Sequence, residues 1–320
     1  MRLVLLAMLG CAAVPRSGSV VEEGACPAPP RYEAFIGGAT EVLKPEFEKS
    51  HLDVPDVRGV FPADRYERYV ASVREGRCRR VRYLSDGLKV VAYVLRPAAA
   101  SGKLPVMVWL RGGNGTFSAV GPGALNVMLL FAEQGYLVIA PQYREGEPES
   151  EGKDEFGGGD LHDVLALPQL ARAQPGADLE HVFLYGGSRG GMEALMAARA
   201  GLEVRAIALR APASDMFASI AERPGFEKIF AERIPGFAQH RDEELLKRSP
   251  VRWAAEIRQP VLIVQAREDW RVPLAHSQRL TDALKADHKL IIYEHDEHGL
   301  SNHLPQLAHD VDAWFRAHWN

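Results

Sequence analysis

Short apolar runs alternate with helix-forming segments over the last three quarters of the chain, and this alternation limits the fold more than any other feature. Continuous apolar runs are typical of strands buried on both faces of a parallel sheet. Such runs occupy residues 81–84, 88–95, 105–110, 136–140, 181–185, 206–209, 261–265 and 289–293. Helical patterns lie between or after them at 124–134, 160–173, 190–200, 275–286 and 305–317. The sequence therefore predicts an α/β domain with a mostly parallel central sheet and helices on both faces.

The segments outside this alternation have a different composition. Residues 15–30 are rich in Pro, Gly, Ser and Glu, which predicts a flexible tether. Residues 31–78 contain helical patches interrupted by prolines, and we interpret them as an N-terminal extension packed on the main domain of residues 79–320. Inside the main domain, about residues 213–248 form short amphipathic pieces. We expect these to be a small helical cap over the carboxyl edge of the sheet.

Residues 1–14 are typical of an export leader. Arg2 precedes an apolar stretch that is shorter than the about 18–20 residues needed to span a bilayer. The segment Met8–Cys11 also resembles a lipoprotein box, in which Cys11 would carry lipid and tether the protein to a membrane. Ordinary signal cleavage after Ala13 is the alternative. We expect a periplasmic or lipid-anchored envelope protein, or a cytoplasmic one if the leader does not function.

The three cysteines allow two interpretations. If Cys11 is lipidated, Cys26 and Cys78 remain as a pair that could oxidise in an exported protein. Closing a loop of that length would stabilise the fold by about 4 kcal/mol in the chain-entropy model. Two unrelated reduced cysteines are the alternative, and the spacing does not distinguish the two.

The charge balance argues against nucleic acid as a partner. Lys and Arg number 38 against 42 Asp and Glu, giving a net charge of −4. Without a basic surplus, the chain would release few counterions from a phosphate backbone. The apolar fraction of 47% also excludes a wholly disordered chain.

The strand predicted at 181–185 runs into a glycine-rich turn and then a helix. The turn consists of Gly186-Gly187-Ser188-Arg189-Gly190-Gly191. A serine on such a strand–turn–helix connection is held with its hydroxyl exposed above the sheet edge, where it can act as a nucleophile. A phosphate-binding turn is the alternative, but the dinucleotide fingerprint needs glycine in place of Ser188. We therefore predict that Ser188 is a catalytic nucleophile.

A nucleophilic serine needs a base and a carboxylate that orients it. Asp269 follows the strand predicted at 261–265, and His298 follows the last predicted strand. The chain order Ser, Asp, His is that of the α/β-hydrolase fold. Glu268 competes for the role of the acid, as do His295 and His303 for that of the base.

A metal site is disfavoured at the same histidines. The order His-Asp-Glu-His at residues 295–298 matches neither of the helical zinc motifs that place two histidines beside a glutamate. We predict neither a metal nor an organic cofactor.

The oxyanion formed during acyl transfer needs two hydrogen-bond donors. The backbone amide of Arg189 is one candidate because it follows the nucleophile. The loop after the strand predicted at 105–110 supplies the second in hydrolases of this type, and here it contains Gly112 and Gly113. We predict that the amide of one of these glycines is the second donor.

Residues 81–319 resemble the catalytic domain of the prolyl oligopeptidase family of serine peptidases. The segments that carry the resemblance are Ser85–Gly87, Gly112–Gly113, Gly186–Gly191, Asp269–Pro273 and Glu297–Gly299. The resemblance implies an α/β-hydrolase fold in which Ser188, Asp269 and His298 form the catalytic triad.

The chain also departs from the family pattern. Arg111-Gly112-Gly113-Asn114 replaces the usual His-Gly-Gly-Pro, and Gln265-Ala266 replaces His-Gly before the acid. Family peptidases also carry a β-propeller of several hundred residues that filters substrates, and the residues between Cys26 and Cys78 are too few to form one.

Together these features predict a serine hydrolase that acts through an acyl-enzyme on a small peptide. A carboxylesterase acting on an acyl ester is the alternative, since related stand-alone domains include esterases. A catalytically silent, exported binding module is a third hypothesis. The sequence carries no prediction of the oligomeric state.

Overall fold

The computed structural model describes residues 17–99 and 102–320. The predicted leader, with Cys11, lies outside the described residues. Nine strands lie within these ranges: β1 Val20–Ala25, β2 Cys78–Ser85, β3 Leu88–Leu95, β4 Leu104–Leu110, β5 Leu137–Pro141, β6 Ala177–Gly187, β7 Ala206–Arg210, β8 Val261–Ala266 and β9 His288–Tyr293.

Twelve α-helices accompany the strands in the same part of the chain. They are α1 Tyr32–Lys49, α2 Val57–Val60, α3 Ala63–Arg74, α4 Pro122–Glu133, α5 Leu161–Leu165, α6 Leu167–Arg172, α7 Arg189–Arg199, α8 Met216–Glu222, α9 Gly225–Arg233, α10 Phe237–Lys247, α11 Leu274–Ala283 and α12 Leu304–Ala317. Single-turn 3₁₀ helices occupy Pro250–Arg252, Ala254–Glu256 and Ser301–His303. None of the helices described is both long enough and apolar enough to cross a membrane.

All nine strands form one sheet, in the order β1-β2-β3-β5-β4-β6-β7-β8-β9. The pairs β1–β2, β2–β3 and β3–β5 are antiparallel. The remaining pairs, β5–β4, β4–β6, β6–β7, β7–β8 and β8–β9, are parallel. Successive side chains of a strand point to opposite faces, so Phe183 joins one core and Leu184 the other. This arrangement confirms the predicted α/β-hydrolase fold with a mostly parallel sheet.

The sheet begins earlier than the sequence predicted. Residues 15–30 were expected to be a flexible tether, but β1 lies there and pairs with β2 at the edge of the sheet. Glu23 accepts a hydrogen bond from Arg79 at 2.9 Å, and Glu22 accepts one from Arg82 at 2.7 Å. The composition misled the prediction because an exposed edge strand can be held by backbone pairing and cross-strand ion pairs without an apolar run.

A disulfide joins the segment after β1 to the first residue of β2. Cys26 and Cys78 are bonded, with their Cα atoms 5.5 Å apart and a separation of 52 positions in sequence. Both side chains are buried. The bond therefore ties the segment just before the N-terminal extension to β2 of the sheet.

The N-terminal extension packs on one face of the sheet. Phe35 and Phe47 of α1 and Tyr69 of α3 lie in the same hydrophobic core as Phe131 of α4. The inserted segment between β7 and β8 forms α8 to α10, which pack around a smaller core. Both additions border the carboxyl edge, where the predicted site residues lie.

Candidate active site

Ser188 lies on the sharp turn between β6 and α7. Its backbone has φ 55° and ψ −120°, a conformation that costs energy for a residue with a side chain. A Cβ atom on Gly186 would collide with the carbonyl oxygen of Gly190, and one on Gly190 would collide with the carbonyl oxygen of Leu110. The glycines are therefore required for the turn that exposes the serine.

Asp269 and His298 come together beyond the ends of β8 and β9. His298 Nδ1 lies 2.7 Å from Asp269 Oδ2, while Oδ1 of the same carboxylate accepts the backbone amides of Arg271 at 2.8 Å and Val272 at 3.0 Å. Gln265 Nε2 donates to Asp269 Oδ2 at 2.9 Å. The carboxylate thus fixes the orientation of the imidazole ring.

The electrostatics of Asp269 favour its charged form. Burial raises the pKa of this carboxyl group, but His298 and the backbone amides of Val272 and Arg271 outweigh burial and lower it below the usual 3.8. Asp269 is therefore an anion at neutral pH and stabilises a proton on His298.

Arg210, at the end of β7, links the serine turn to the histidine loop. The amide of Ser188 donates to the carbonyl oxygen of Arg210 at 2.8 Å, and Arg210 Nη1 donates to the carbonyl oxygen of His298 at 2.5 Å. No hydrogen bond joins the Ser188 and His298 side chains among the described residues. Such a contact commonly tightens only with substrate bound. Arg210 was not predicted from the sequence, since nothing in its local pattern marks it.

The competing acid and bases lie apart from this pair. Glu268 accepts the backbone amide of His295 at 3.0 Å, and the His295 side chain is exposed. His303 Nδ1 lies 2.8 Å from Asp296 Oδ2. Of the three predicted histidines, the structure brings only His298 to Asp269.

The loop after β4 faces the serine. A Cβ atom on Gly112 would lie 3.1 Å from the Cβ atom of Ser188, and Gly113 has a φ of +70° that favours glycine. The amides of Gly112, Gly113 and Arg189 have no hydrogen-bond acceptor within the described residues. All three predicted oxyanion donors are therefore free to bind a ligand oxygen.

Arg111 organises that loop. Its buried guanidinium donates to the carbonyl oxygens of Gly112 at 3.0 Å, Gly115 at 2.7 Å, Phe117 at 3.2 Å and Gln142 at 2.8 Å. Arg111 therefore fixes the conformation of this loop through three of its backbone carbonyl groups. It stands at the position that histidine usually occupies in the family that the sequence resembles.

Comparisons with known proteins identify the family of this chain. The model of the prolyl oligopeptidase family matches residues 124–320. The chain belongs to the prolyl oligopeptidase family. It is therefore a member of a family of serine peptidases, as the sequence predicted. The matched range contains Ser188, Asp269 and His298, whereas Gly112, Gly113 and the N-terminal extension lie before it.

One relative within the prolyl oligopeptidase family is YtmA, an uncharacterized peptidase of Bacillus subtilis (strain 168). It is 32% identical over 208 residues, which cover 65% of this chain and 79% of YtmA. Among solved structures, an acylaminoacyl peptidase from Pyrococcus horikoshii has a TM-score of 0.63 and 23% identity. A puromycin-hydrolyzing peptidase from Mycobacterium tuberculosis has a TM-score of 0.59 and 24% identity.

These two structures share the fold with 75% of this chain. The chain spans only 41% of the Pyrococcus chain and 39% of the Mycobacterium chain.

Beneath the serine turn lies a group of buried charges that we call the elbow cluster: Arg111, Asp154, Asp160, Arg189 and Glu193. Arg189 Nη1 donates to Asp154 Oδ2 at 2.6 Å, its Nη2 donates to Asp160, and its Nε donates to Glu193 Oε1 at 2.8 Å. The same Nη1 also binds the carbonyl oxygen of Gly113 at 3.0 Å. This side chain therefore ties the residue after Ser188 to the loop after β4.

A metal centre finds no support in the part of the chain that the structure describes. No group of three or more His, Cys, Asp or Glu side chains there could hold a metal ion.

Proposed function

We propose that this protein is a serine peptidase that cleaves peptide bonds through an acyl-enzyme intermediate. The contact of 2.7 Å between His298 and Asp269, beside the strained turn of Ser188, carries the proposal. Membership of the prolyl oligopeptidase family and the similarity to a Bacillus peptidase support peptide substrates.

Each residue of the proposed triad has a defined step. Ser188 Oγ attacks the substrate carbonyl carbon while His298 Nε2 takes the hydroxyl proton. The amides of Arg189 and of Gly112 or Gly113 stabilise the oxyanion. His298 then gives the proton to the leaving amine, and Asp269 holds the ring in the tautomer that this transfer needs. Attack by water, with His298 again as the base, releases the acyl group and restores Ser188.

A panel of substrates tests the proposal. The full chain is offered a peptide library analysed by mass spectrometry and a set of short-chain acyl esters, with Ser188→Ala as the control. Cuts at defined peptide bonds that disappear in the variant are the expected result. We expect His298→Ala to lose most turnover, and His295→Ala and His303→Ala to keep it.

Other outcomes lead to the alternative functions. Serine-dependent ester hydrolysis with all peptides intact would identify a carboxylesterase. Ester hydrolysis alone would not, because serine peptidases usually cleave esters as well. No turnover, together with no fluorophosphonate labelling of Ser188, would identify a catalytically silent binding module.

We also propose that the protein works outside the cytoplasm, tethered to a membrane through Cys11. The disulfide between Cys26 and Cys78 supports an oxidising compartment. Expression in a bacterial host with labelled fatty acid tests this location. Label on the wild type but not on Cys11→Ser supports the tether, and unlabelled protein in the cytoplasm contradicts both parts.

A further inference from the structure

Three cationic side chains surround Trp270, the residue directly after Asp269 of the proposed triad. Lys49 Nζ lies 4.4 Å from the centroid of the Trp270 ring, and the guanidinium carbons of Arg271 and Arg223 lie at 4.8 and 5.2 Å. We call these residues, with Glu46, the mouth cluster. Its members come from α1, from the loop after β8 and from the end of α8, so three separate parts of the chain converge there.

Only one of the three cations has a carboxylate partner. Glu46 accepts two hydrogen bonds from Arg271, both at 2.5 Å, and one from Trp270 Nε1 at 3.1 Å. In the described ranges no carboxylate oxygen lies within 4.0 Å of the side-chain nitrogens of Lys49 or Arg223. The mouth cluster therefore has two more positive than negative charges.

Arg223 is held in place although no carboxylate among the described residues pairs with it. Its Nη1 donates to the carbonyl oxygen of Arg271 at 3.0 Å, and its guanidinium lies 4.4 Å from the centroid of the Phe226 ring. Burial and the charge of Arg271 lower the pKa of Arg223, while Glu46 and Asp269 raise it. A half-buried guanidinium fixed in this way favours an anionic ligand, because the ligand supplies the missing charge with little loss of side-chain entropy.

The mouth cluster lies next to two loops of the proposed active site. The amide of Arg271 donates to Asp269, which binds His298. The Arg271 guanidinium carbon lies 5.7 Å from the ring centroid of Phe117, an exposed residue of the same loop as Gly112. A ligand bound at Ser188 that extends towards these two loops would therefore approach the mouth cluster.

We propose that the mouth cluster is a carboxylate-binding subsite in which Arg223 is the main contact and Lys49 a weaker one. The preferred substrates are peptides with a carboxylate near the cleaved bond, either the free C-terminus or an acidic side chain. The inference rests on the proposed function, since it names the substrate class of the same site. Glu46 already occupies Arg271, so Arg271 is not part of the subsite.

Four versions of one cleaved peptide test this inference. The peptide ends in an acid or an amide and has Glu or Gln as its last residue, so the two sources of carboxylate vary independently. The version that ends in Gln with a C-terminal amide, called the Gln amide, has neither carboxylate. We expect the wild type to cleave the carboxylate-bearing versions with a kcat/KM about tenfold or more above that of the Gln amide. Arg223→Gln removes this preference, so that its kcat/KM values for the four peptides agree within about twofold of one another, whereas Arg223→Lys retains part of the preference.

The matched control is Arg241→Gln. Arg241 is an arginine of the cap that pairs with Glu227 and Asp242, and the variant keeps the full preference. The versions with one carboxylate show which source is recognised. Equal cleavage of all four peptides by the wild type overturns the inference, as does a preference that survives Arg223→Gln.

A binding measurement separates this inference from the proposed function. Calorimetry with Ser188→Ala needs no catalysis, and we expect the carboxylate peptides to bind about tenfold more tightly than the Gln amide. Adding Arg223→Gln to that variant equalises the affinities. Selective binding without turnover in the wild type contradicts the peptidase alone. Turnover with equal binding contradicts the subsite alone.

Discussion

The elbow cluster and the mouth cluster both hold arginines against aromatic rings beside the proposed active site, but they balance charge differently. Arg189 is only 2% exposed and contacts three carboxyl groups, and its guanidinium carbon lies 4.7 Å from the ring centroid of Phe156. In the mouth cluster, Glu46 pairs with Arg271 alone. The number of carboxylates available to each cation is thus the main difference.

The elbow cluster is electrically neutral when Glu193 is protonated. Burial raises the pKa of Glu193 to about 8, with Arg189 opposing and the charge of Asp160 adding to the rise. The cations Arg111 and Arg189 then balance the anions Asp154 and Asp160. Unpaired charges are costly in the interior and tolerable near water. The buried charges of the elbow cluster therefore serve the structure, whereas the surplus cations of the mouth cluster are the ones that the proposed subsite uses.

The largest expected effect tests the buried side of this comparison. Arg189→Met leaves Asp154 and Asp160 without their counterion, so we expect the free energy of unfolding to fall by about 3–5 kcal/mol. Urea denaturation measures the change. Arg223→Met at the mouth is the matched control, with an expected loss of about 1 kcal/mol or less. Equal losses would show that the two clusters do not differ as described.

The next effect concerns what holds the mouth cluster in place. Glu46 and Lys49 lie on α1, inside the loop that the disulfide closes, so Cys26→Ser with Cys78→Ser opens this loop. We expect a loss of about 2–4 kcal/mol in the free energy of unfolding and a weaker preference for carboxylate peptides. Fluorophosphonate labelling of Ser188 reports on the serine turn, and we expect the labelling rate of this variant to equal that of the wild type. A labelling rate that falls as far as the preference would contradict this separation.

Glu193→Gln tests the neutrality of the elbow cluster. The folded pKa of Glu193, about 8, lies above the ordinary value of 4.5 for this side chain. The folded protein therefore binds more protons than the unfolded chain between these values, and its stability falls as the pH rises through them. Glutamine does not titrate, so the variant should gain roughly 1–3 kcal/mol on the wild type between pH 5 and pH 8.

Urea unfolding at four pH values measures that gain, and the contribution of Asp163, whose pKa burial raises to about 7 despite Arg144, cancels in the difference. The control is Glu33→Gln. The hydrogen bond from Arg58 lowers the pKa of the exposed Glu33, so this difference should stay flat over the same range. A flat difference for Glu193→Gln as well would refute the protonated state.

The smallest effect is that of salt. Raising NaCl from 0.1 to 1 M shortens the Debye length from about 10 to about 3 Å, which screens exposed charges far more than buried ones. We expect the preference for carboxylate peptides to shrink several-fold. The stability difference between the wild type and Arg189→Met should change by less than about 0.5 kcal/mol. An unchanged preference for carboxylate peptides together with a large change in the stability difference would contradict the description of the elbow cluster as buried and the mouth cluster as exposed.

Much of the fold was predictable from local patterns. The strand predicted at 88–95 spans Leu88–Leu95, and the predicted helix at 190–200 corresponds to Arg189–Arg199. Buried strands and the helices beside them depend on apolar periodicity, which each segment carries by itself. The strand β1 escaped prediction because its pairing with β2 depends on residues more than 50 positions away.

The alternating architecture, the serine turn and the chain order of Ser188, Asp269 and His298 could all be predicted from the sequence. The tertiary structure was needed to show that His298, and not His295 or His303, meets Asp269, because this contact depends on how the loop after β9 folds. It also placed Glu46 on Arg271 across 225 positions of sequence. Contacts of that range depend on how the whole chain packs, and no local spacing encodes them.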